Sequence, residues 1–533
     1  MNSLLLLGVS LAIFWIGYRS YGGYFSRLLG VDPSRPTPAH VKDDGVDYVP
    51  AKHWLVLFGH HFSSIAGAGP IIGPIIAVSI WGWGPPVLFI LLGSILIGGI
   101  HDLGALFVSI RYGGSSIASV TSELISKRAK KLFAWFVFFS LIVVVAVFAH
   151  SSAKTLIVEP KIVLPSLGLI PVAAMIGVMM YRLKAGMVQS SIVGLTLVVV
   201  LILLGQKFPI TIAAENALAV WIGILLAYAF VASVLPVNVL LQPRDYLSSF
   251  LLFFGIIVGI LGVATSRADF TVPAFVNWGT HKEPLWPILF VTVACGAVSG
   301  FHALVSSGTT AKQIPNERYA QRMGYGGMIL EGVLAVIVVI AVGAGFRGAE
   351  DLGRVMSAAG PVEAFGEGYG YITRFILGKY GKFIAVVILN AFILTTLDTA
   401  TRISRYVLEE LFSGMNRYVS TGMIVVLSGS IALTGNYVRI WPIFGSSNQL
   451  VAALTLIVIT AWLVAHGKSG KITLYPAIFM LITSLGALIW QLGLFISDRN
   501  YLLIVVDVAL IALAASMVTE AYVWLKKLRL SKG

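Results

Sequence analysis

The sequence predicts an all-α, polytopic membrane protein of about fifteen transmembrane helices, ten of them forming a five-plus-five inverted repeat with discontinuous helices in spans two and seven. Three observations predict it. Of the 533 residues, 58% are hydrophobic and only 11% are charged, and the mean hydropathy is +0.91; a soluble domain carries about 25% charged residues. Apolar runs recur along the whole chain at lengths near the roughly 20 residues that cross a bilayer. The basic residues are also unevenly spread. With the N-terminus outside and the C-terminus cytoplasmic, the cytoplasmic loops and tail hold 25 of the 37 Lys and Arg and the external loops 12, as the positive-inside rule requires.

The net charge of +14 is therefore an orientation signal, and with no basic stripe in view no nucleic-acid partner is expected. The single cysteine, Cys295, allows neither a disulfide framework nor a thiolate zinc cluster. No HxxxH or HExxH spacing marks a metal site, and no cofactor is expected. The first span lacks a basic n-region and a small-residue cleavage site, so it reads as a retained helix in place of a signal peptide. The longest loops, 18–53 and 347–382, hold about 35 residues each, too few for an extramembrane enzyme domain.

In chain order the spans lie near 3–17, 54–80, 86–109, 132–153, 168–181, 187–204, 217–240, 246–264, 286–306, 324–346, 383–401, 418–434, 440–465, 474–495 and 501–525. They divide into an N-terminal extra span with its cytoplasmic loop (1–53), a first five-span repeat (54–205), a second, inverted repeat (206–405) and four accessory spans (406–533). Span two reads GHHFSSIAGAGPIIGPII over 59–76. Lipid tolerates unwound backbone only where it lines a cavity, so a break at 66–69 predicts a site near the midplane. Pro70 suits the start of a new half-helix because its missing N–H would be unpaired there anyway, and the free amides that follow suit an anion. Five spans on, Pro236 and Asn238 predict a partner break at 233–238. Paired breaks in corresponding spans point to an inverted-repeat carrier. The competing reading is that small residues simply let helices pack closely.

The candidate substrate-binding residues are accordingly Ser63, Ser64, Ala66, Gly67, Ala68, Gly69, Ile71, Ser233 and Asn238. Intramembrane ionisable groups cost about 2.5–3.5 kcal/mol on insertion scales and invite functional readings. His60, His61, His101, Asp102, His302 and Glu331 are the candidates for proton coupling, because imidazole titrates near pH 6.5; the alternative is interhelical hydrogen bonding. His60 and His61 are adjacent, so their rings point about 100° apart on a helix. Asp398 and Arg402 stand four apart, the spacing of a local ion pair. Ser299, Ser306, Ser307, Thr309 and Thr310 form a possible cation site with the carbonyls freed at 66–69.

The stretches FGHHFSSIAGAGPIIGPIIA, HDLGALFVSIR, VLPVNVLLQPRDYLSSF, SGFHALVSSGTTAKQIPNERYAQRMGYGGMILEG, LTTLDTATRISRYVLEEL and WPIFGSSNQLVAAL together resemble the carbon starvation protein A (CstA) family. They run in family order from residue 58 to about 455. The resemblance implies a prokaryotic inner-membrane carrier with an amino acid–polyamine–organocation (leucine-transporter-like) fold, linked to uptake of peptides in carbon starvation or of pyruvate with protons. This chain is shorter at its C-terminus than the long members. After SGFHA it also departs from their Gln-Ser-Pro type stretch, which leaves the coupling ion open.

The sequence thus points to a secondary importer, not an enzyme, of a small carboxylate-bearing nutrient, pyruvate or a short peptide, coupled to H+ in preference to Na+. No Walker A motif offers ATP as an alternative drive. A channel would need a continuous polar lining, and a membrane-embedded enzyme would need a motif such as Gly-x-Ser-x-Gly, which is absent. The oligomeric state is not legible.

Overall fold

The computed structural model describes residues 2–45, 48–51, 53–212, 215–236, 240–280, 283–412, 414–433 and 437–530. Backbone amides and carbonyls in lipid must be paired within the segment, and the apolar runs accordingly become helices; among the described residues the only β pairing is two isolated bridges. Among the described residues, thirteen helices are long and apolar enough to span a membrane, and a bent pair makes a fourteenth. Arg417–Ala432, at 16 residues, is a shorter apolar helix.

The bent pair is span two. Helix Trp54–Ile65 ends at Ala66, whose φ/ψ of −75°/73° is not helical. The chain re-enters a helix at Gly69–Trp81, turned by 43°. Pro70 lies in its first turn, where no intrahelical N–H is lost.

The second interruption is not where the sequence placed it. Ser233 is helical, in Ala217–Val234, and Leu235 takes the extended conformation at the helix end, as expected of a residue before proline. Asn238 lies outside the described residues. The helix that follows, Leu241–Ser266, belongs to a separate span, so Pro236 ends one span and does not break it. The interruption falls inside Leu285–Lys312 instead. Helix Phe290–Val293 stops at Ala294, which has φ +39°, a conformation few non-glycine residues adopt. A single 3-10 turn and an extended Ser299 follow, and the helix resumes at Gly300–Gly308.

The two interrupted spans pack on each other, and both contact Ala320–Ala344. Gly99–Arg111 completes this inner group through Ala320–Ala344 and Gly300–Gly308. A second group forms around Lys127–Val158, which packs on Gly381–Leu411, Ala217–Val234 and Arg417–Ala432. Leu241–Ser266 touches Trp54–Ile65 on one side and Gly381–Leu411 on the other, thereby bridging the groups. Close backbone approach sets the contact between the broken spans: a Cβ on Gly73 would lie 2.3 Å from the Thr292 carbonyl oxygen.

A π-helical turn at Ser94–Gly98 frees backbone groups, and such turns gather at functional sites. The Tyr325 hydroxyl donates to the Ile95 carbonyl at 2.8 Å, and Ser94 Oγ reaches the Gly296 carbonyl at the second break at 3.2 Å. The turn thus ties span three to that break.

Candidate functional site

The first break faces three elements. A Cβ on Gly67 would lie 2.5 Å from Thr396 Oγ1 and 3.5 Å from the Phe148 ring, and one on Gly69 would lie 2.6 Å from Cys295 at the second break. The Gly67 amide already donates to the Ile65 carbonyl (2.8 Å), and those of Ile71 and Ile72 to the Ala68 carbonyl (3.1 and 2.8 Å). Ile71 is therefore not a free donor. Thr396 Oγ1, beside the break, and Thr399 Oγ1, three residues on along the same helix, are buried with no hydrogen-bond partner among the described residues. Such groups cost about 1–3 kcal/mol when left unmade.

The side chain of Asn448 bridges the second break. Asn448 Oδ1 accepts from the Phe301 amide (2.8 Å), while its Nδ2 donates to Ser299 Oγ (3.0 Å) and Cys295 Sγ (3.2 Å). Its neighbour Gln449 donates to the Phe290 carbonyl at 2.6 Å. These two amides take over bonds that the helix gives up.

The proposed proton-coupling residues separate into two clusters. In the inner group, His101 Nδ1 lies 2.6 Å from Asp102 Oδ1, and His302 Nδ1 lies 2.7 Å from Asp102 Oδ2. His302 Nε2 is 3.1 Å from Glu331 Oε2, an ion-pair contact set off the line of a hydrogen bond. All four side chains are fully buried. A neutral imidazole carries one N–H. With a carboxyl group against each nitrogen, His302 is either an imidazolium or faces a protonated acid. Glu331 is the least satisfied member, since neither oxygen makes a hydrogen bond.

The second cluster lies between the groups. His60 Nδ1 is 3.1 Å from Asp245 Oδ2, and Ser64 Oγ donates to the same oxygen at 3.3 Å. Ser63 Oγ donates to the Asp245 backbone carbonyl (3.1 Å) and to that of His60 (3.2 Å). Arg244 contacts Asp245 at 3.5 Å and clasps Asp398 at 2.5 and 3.1 Å. Tyr228 donates to Asp398 at 2.9 Å and also meets Arg244. The local Asp398–Arg402 pair expected from sequence does not form: Arg402 donates to the Ala232 and Leu235 carbonyls (2.5 and 2.7 Å), the last acceptors of a helix that Pro236 stops.

His60 and His61 do point apart, for His61 Nδ1 meets Thr310 Oγ1 at 2.8 Å on the opposite side of the helix. Four of the five hydroxyls proposed for a cation site are engaged in hydrogen bonds of their own. Ser307 and Thr309 donate back to their own helix, to Ala303 and Val305 (2.7 and 2.9 Å). Thr310 is taken by His61 and Ser299 by Asn448, while Ser306 is buried alone. Among the described residues, no group of three or more His, Cys, Asp or Glu could hold a metal ion. Ser233 packs 3.5 Å from Thr421, on the second group and away from both breaks.

Sequence reasoning missed Arg244, Asp245, Tyr228, Thr396 and Asn448. Three carried a signal: Arg244 and Asp245 as a charged pair in QPRDYL between two apolar runs, and Asn448 in the Asn-Gln of GSSNQLVAAL. Tyr228 and Thr396 carried none, because a tyrosine or threonine in a membrane helix is ordinary.

A family profile described as Carbon starvation protein CstA matches residues 2–349 and 347–487. The peptide transporter CstA of Escherichia coli is 33% identical, over 91% of this chain and 81% of its own. The pyruvate/proton symporter BtsT of the same organism is 29% identical, over 94% and 82%, and the peptide transporter CstA of Campylobacter jejuni is 31% identical, over 91% and 80%. Among solved structures, the manganese transporter of Eremococcus coleocola superposes with a TM-score of 0.54 at 11% identity, covering 91% of this chain and 99% of that one; at that identity the likeness is one of fold. By these matches the chain is a multi-pass membrane protein and belongs to the carbon starvation protein CstA family.

Proposed function

We propose that the protein is a secondary importer that uses a proton gradient to take up a small carboxylate-bearing nutrient, a short peptide or pyruvate. One observation carries this reading: a buried His101–Asp102–His302–Glu331 chain in which one imidazole stands between two carboxyl groups, beside two broken helices that face each other. With His302 charged and both acids ionised, the chain carries one net negative charge. A single charge in the membrane interior costs about 2.5–3.5 kcal/mol on insertion scales, and one added proton removes it. The relatives' names, peptide transporter and pyruvate/proton symporter, support the substrate classes and the ion.

The substrate carboxylate would meet the Ala68 and Gly69 amides, with Thr396 and Thr399 opposite. The inner group would rock against the second group, and the His60–Asp245 contact between them would break and re-form in each cycle. Two five-span units suit this motion. The first would run 54–81, 84–111, 127–158, 217–234 and 243–266, with the hairpin of 160–207 inserted. The second would run 285–312, 317–344, 374–411, 417–432 and 437–465. Each begins with an interrupted span, which supports this division over boundaries at 205 and 405. The bias of basic residues among the loops supports an N-terminus outside and a cytoplasmic C-terminus.

Purified protein in proteoliposomes tests the reading. An inwardly directed pH gradient should concentrate labelled dialanine or pyruvate, and proton uptake should accompany substrate. Downhill equilibration of both substrates with no response to the gradient would overturn it, and a conductance without counterflow would favour a channel.

A further inference from the structure

Three helix ends meet on the face that the loop charges support as cytoplasmic. Helix Gly23–Leu29 stops at Gly30, whose φ is +80°. Gly99–Arg111 stops at Tyr112, and Tyr437–Ala465 runs out just before His466. Between them lies a cavity of about 390 Å3, lined by Gly30, Asp32, Arg35, Arg111, His466 and Lys468. None of these residues belongs to the two clusters or to either break.

Its cations are held close together. The Lys468 ammonium donates to the Leu29 carbonyl at 2.9 Å, and Arg111 Nη2 donates to the next carbonyl, that of Gly30, at 2.8 Å. Those acceptors belong to adjacent residues, whose Cα atoms are about 3.8 Å apart. The two cations also share an aromatic floor. The Arg111 guanidinium lies 4.7 Å from the Phe107 centroid and the Lys468 ammonium 5.4 Å from that of Trp462. The two rings meet edge to face at 5.5 Å. Helix capping explains part of this, since the last carbonyls of a helix attract cations. It leaves other donors over. Arg111 Nη2 also reaches Glu317 at 3.0 Å, but Arg111 Nη1 is buried with no hydrogen-bond partner among the described residues, a costly state for a charged donor. Lys468 has no ion pair among the described residues. Burial holds its ammonium below the usual lysine range, the reverse of what an adjoining carboxylate would do. Asp32, the acid that lines the cavity, accepts from the Ser34 amide and hydroxyl at 2.9 and 2.7 Å. Arg35 is exposed at the rim and adds a third cation.

We propose that this cavity binds a phosphate group, carried by a soluble ligand or by a lipid headgroup, with Arg111 Nη1 and Lys468 as its donors and Arg35 at the rim. A phosphate dianion matches two neighbouring cations in charge, and its oxygens accept from a guanidinium and an ammonium together. A monocarboxylate such as pyruvate carries half that charge and leaves one cation unmatched. A ligand held here ties the end of span three, which carries His101 and Asp102, to the helix whose Asn448 and Gln449 brace the second break. Occupancy should therefore slow any motion between those helices, which makes the site regulatory and distinct from a substrate site. That consequence rests on the carrier reading, whereas the binding itself does not.

Equilibrium binding to the purified full chain tests it, with labelled pyrophosphate as the soluble probe. The native protein should bind it saturably, and inorganic phosphate should displace it while pyruvate in equal excess should not. Lys468→Met should weaken binding at least tenfold, as loss of a charge-assisted hydrogen bond does. Arg35→Met should weaken it about threefold, a result free of folding defects because that side chain is exposed. A second arm follows retention of phosphatidylglycerol against phosphatidylcholine through delipidation, read by native mass spectrometry. Selective retention of phosphatidylglycerol that is lost in Lys468→Met, without pyrophosphate binding, assigns the phosphate to a headgroup. Neither probe held selectively, or both variants binding as the native chain does, would overturn the site. Uptake plays no part in these measurements, so a failed carrier reading leaves them unchanged.

Discussion

Two buried clusters of titratable residues sit on either side of helix Trp54–Ile65, and they differ in the counter-charges they hold. The cluster between the groups sets a permanent cation against its carboxylates: Arg244 contacts both Asp245 and Asp398. The cluster inside the inner group has only imidazoles for that part: Asp102 contacts His101 and His302, and Glu331 contacts His302. A carboxylate paired with a guanidinium has no need of a proton, while one that faces imidazoles in a low-dielectric interior can shed its charge by taking one. The two also differ in place. Every member of the inner chain lies within one group, whereas His60 and Asp245 lie on helices that would separate if the groups rocked. On the proposed reading the inner chain stores a proton and the interface cluster latches.

The largest effect should come from the inner chain. Glu331→Gln supplies permanently the neutral state that a proton would confer, so proton-driven accumulation should fall to background while counterflow exchange of substrate continues. His302→Gln should do the same and should also weaken folding, because it leaves Asp102 with His101 alone. Proteoliposome uptake with and without a pH gradient reads both. Glu331→Gln protein that still concentrates substrate would erase the distinction between the clusters.

Next in size is Arg244. Replacing it with Met strands Asp398 in the interior, and breaking a buried pair in this way costs about 3–5 kcal/mol. Arg244→Met should therefore lower the unfolding midpoint and the yield of folded protein. Adding Asp398→Asn should recover much of that stability, since both charges then go together. A double variant no more stable than the single one would show that Arg244 acts by packing against Tyr228 and not as a counter-charge.

The two clusters were not equally legible in the sequence. All four inner residues stood out because an ionisable side chain inside an apolar run costs free energy to insert, and each lies well within a span. Asp398 was legible as an intramembrane charge but was given the wrong partner, since sequence spacing sees i+4 neighbours and not Arg244 on another helix. The first break was legible through Gly67, Gly69 and Pro70. The second was not: Ala-Cys-Gly-Ala-Val-Ser-Gly contains no proline and stays apolar, so hydropathy runs straight through it. Only Gly296 and Gly300 hinted at it, and Pro236, a stronger signal, marked a span end. The helix count came through because bilayer thickness fixes span length.

A smaller and more local effect separates Gly67 from Gly69, the two glycines of the first break. A Cβ on Gly69 would press on Cys295, and one on Gly67 on the Thr396 hydroxyl. Gly69→Ala is then an overpacking change, of about 1–3 kcal/mol, and Cys295→Gly in the same chain should restore uptake. Gly67→Val should abolish uptake while expression holds, and Thr396→Ala should not rescue it, because that hydroxyl faces the space assigned to substrate. Rescue at Gly67 as complete as at Gly69 would return both glycines to packing alone.

The smallest effects should fall on His60 and His61, and their difference sharpens the comparison most. Among the described residues His61 hydrogen-bonds only to the Thr310 hydroxyl, a bond that a glutamine amide can replace, so His61→Gln should change uptake by less than about twofold. His60 contacts Asp245 across the two groups. His60→Gln weakens that contact, so its uptake should fall below the native rate while His61→Gln stays close to it. Accumulation on a proton gradient should survive in both variants, because neither ring belongs to the His101–Asp102–His302–Glu331 chain proposed to take the proton. Proteoliposome uptake of the two variants side by side separates the cases. A native rate in His60→Gln would remove the latch, and loss of accumulation in either variant would move the coupled proton from Glu331 to that histidine.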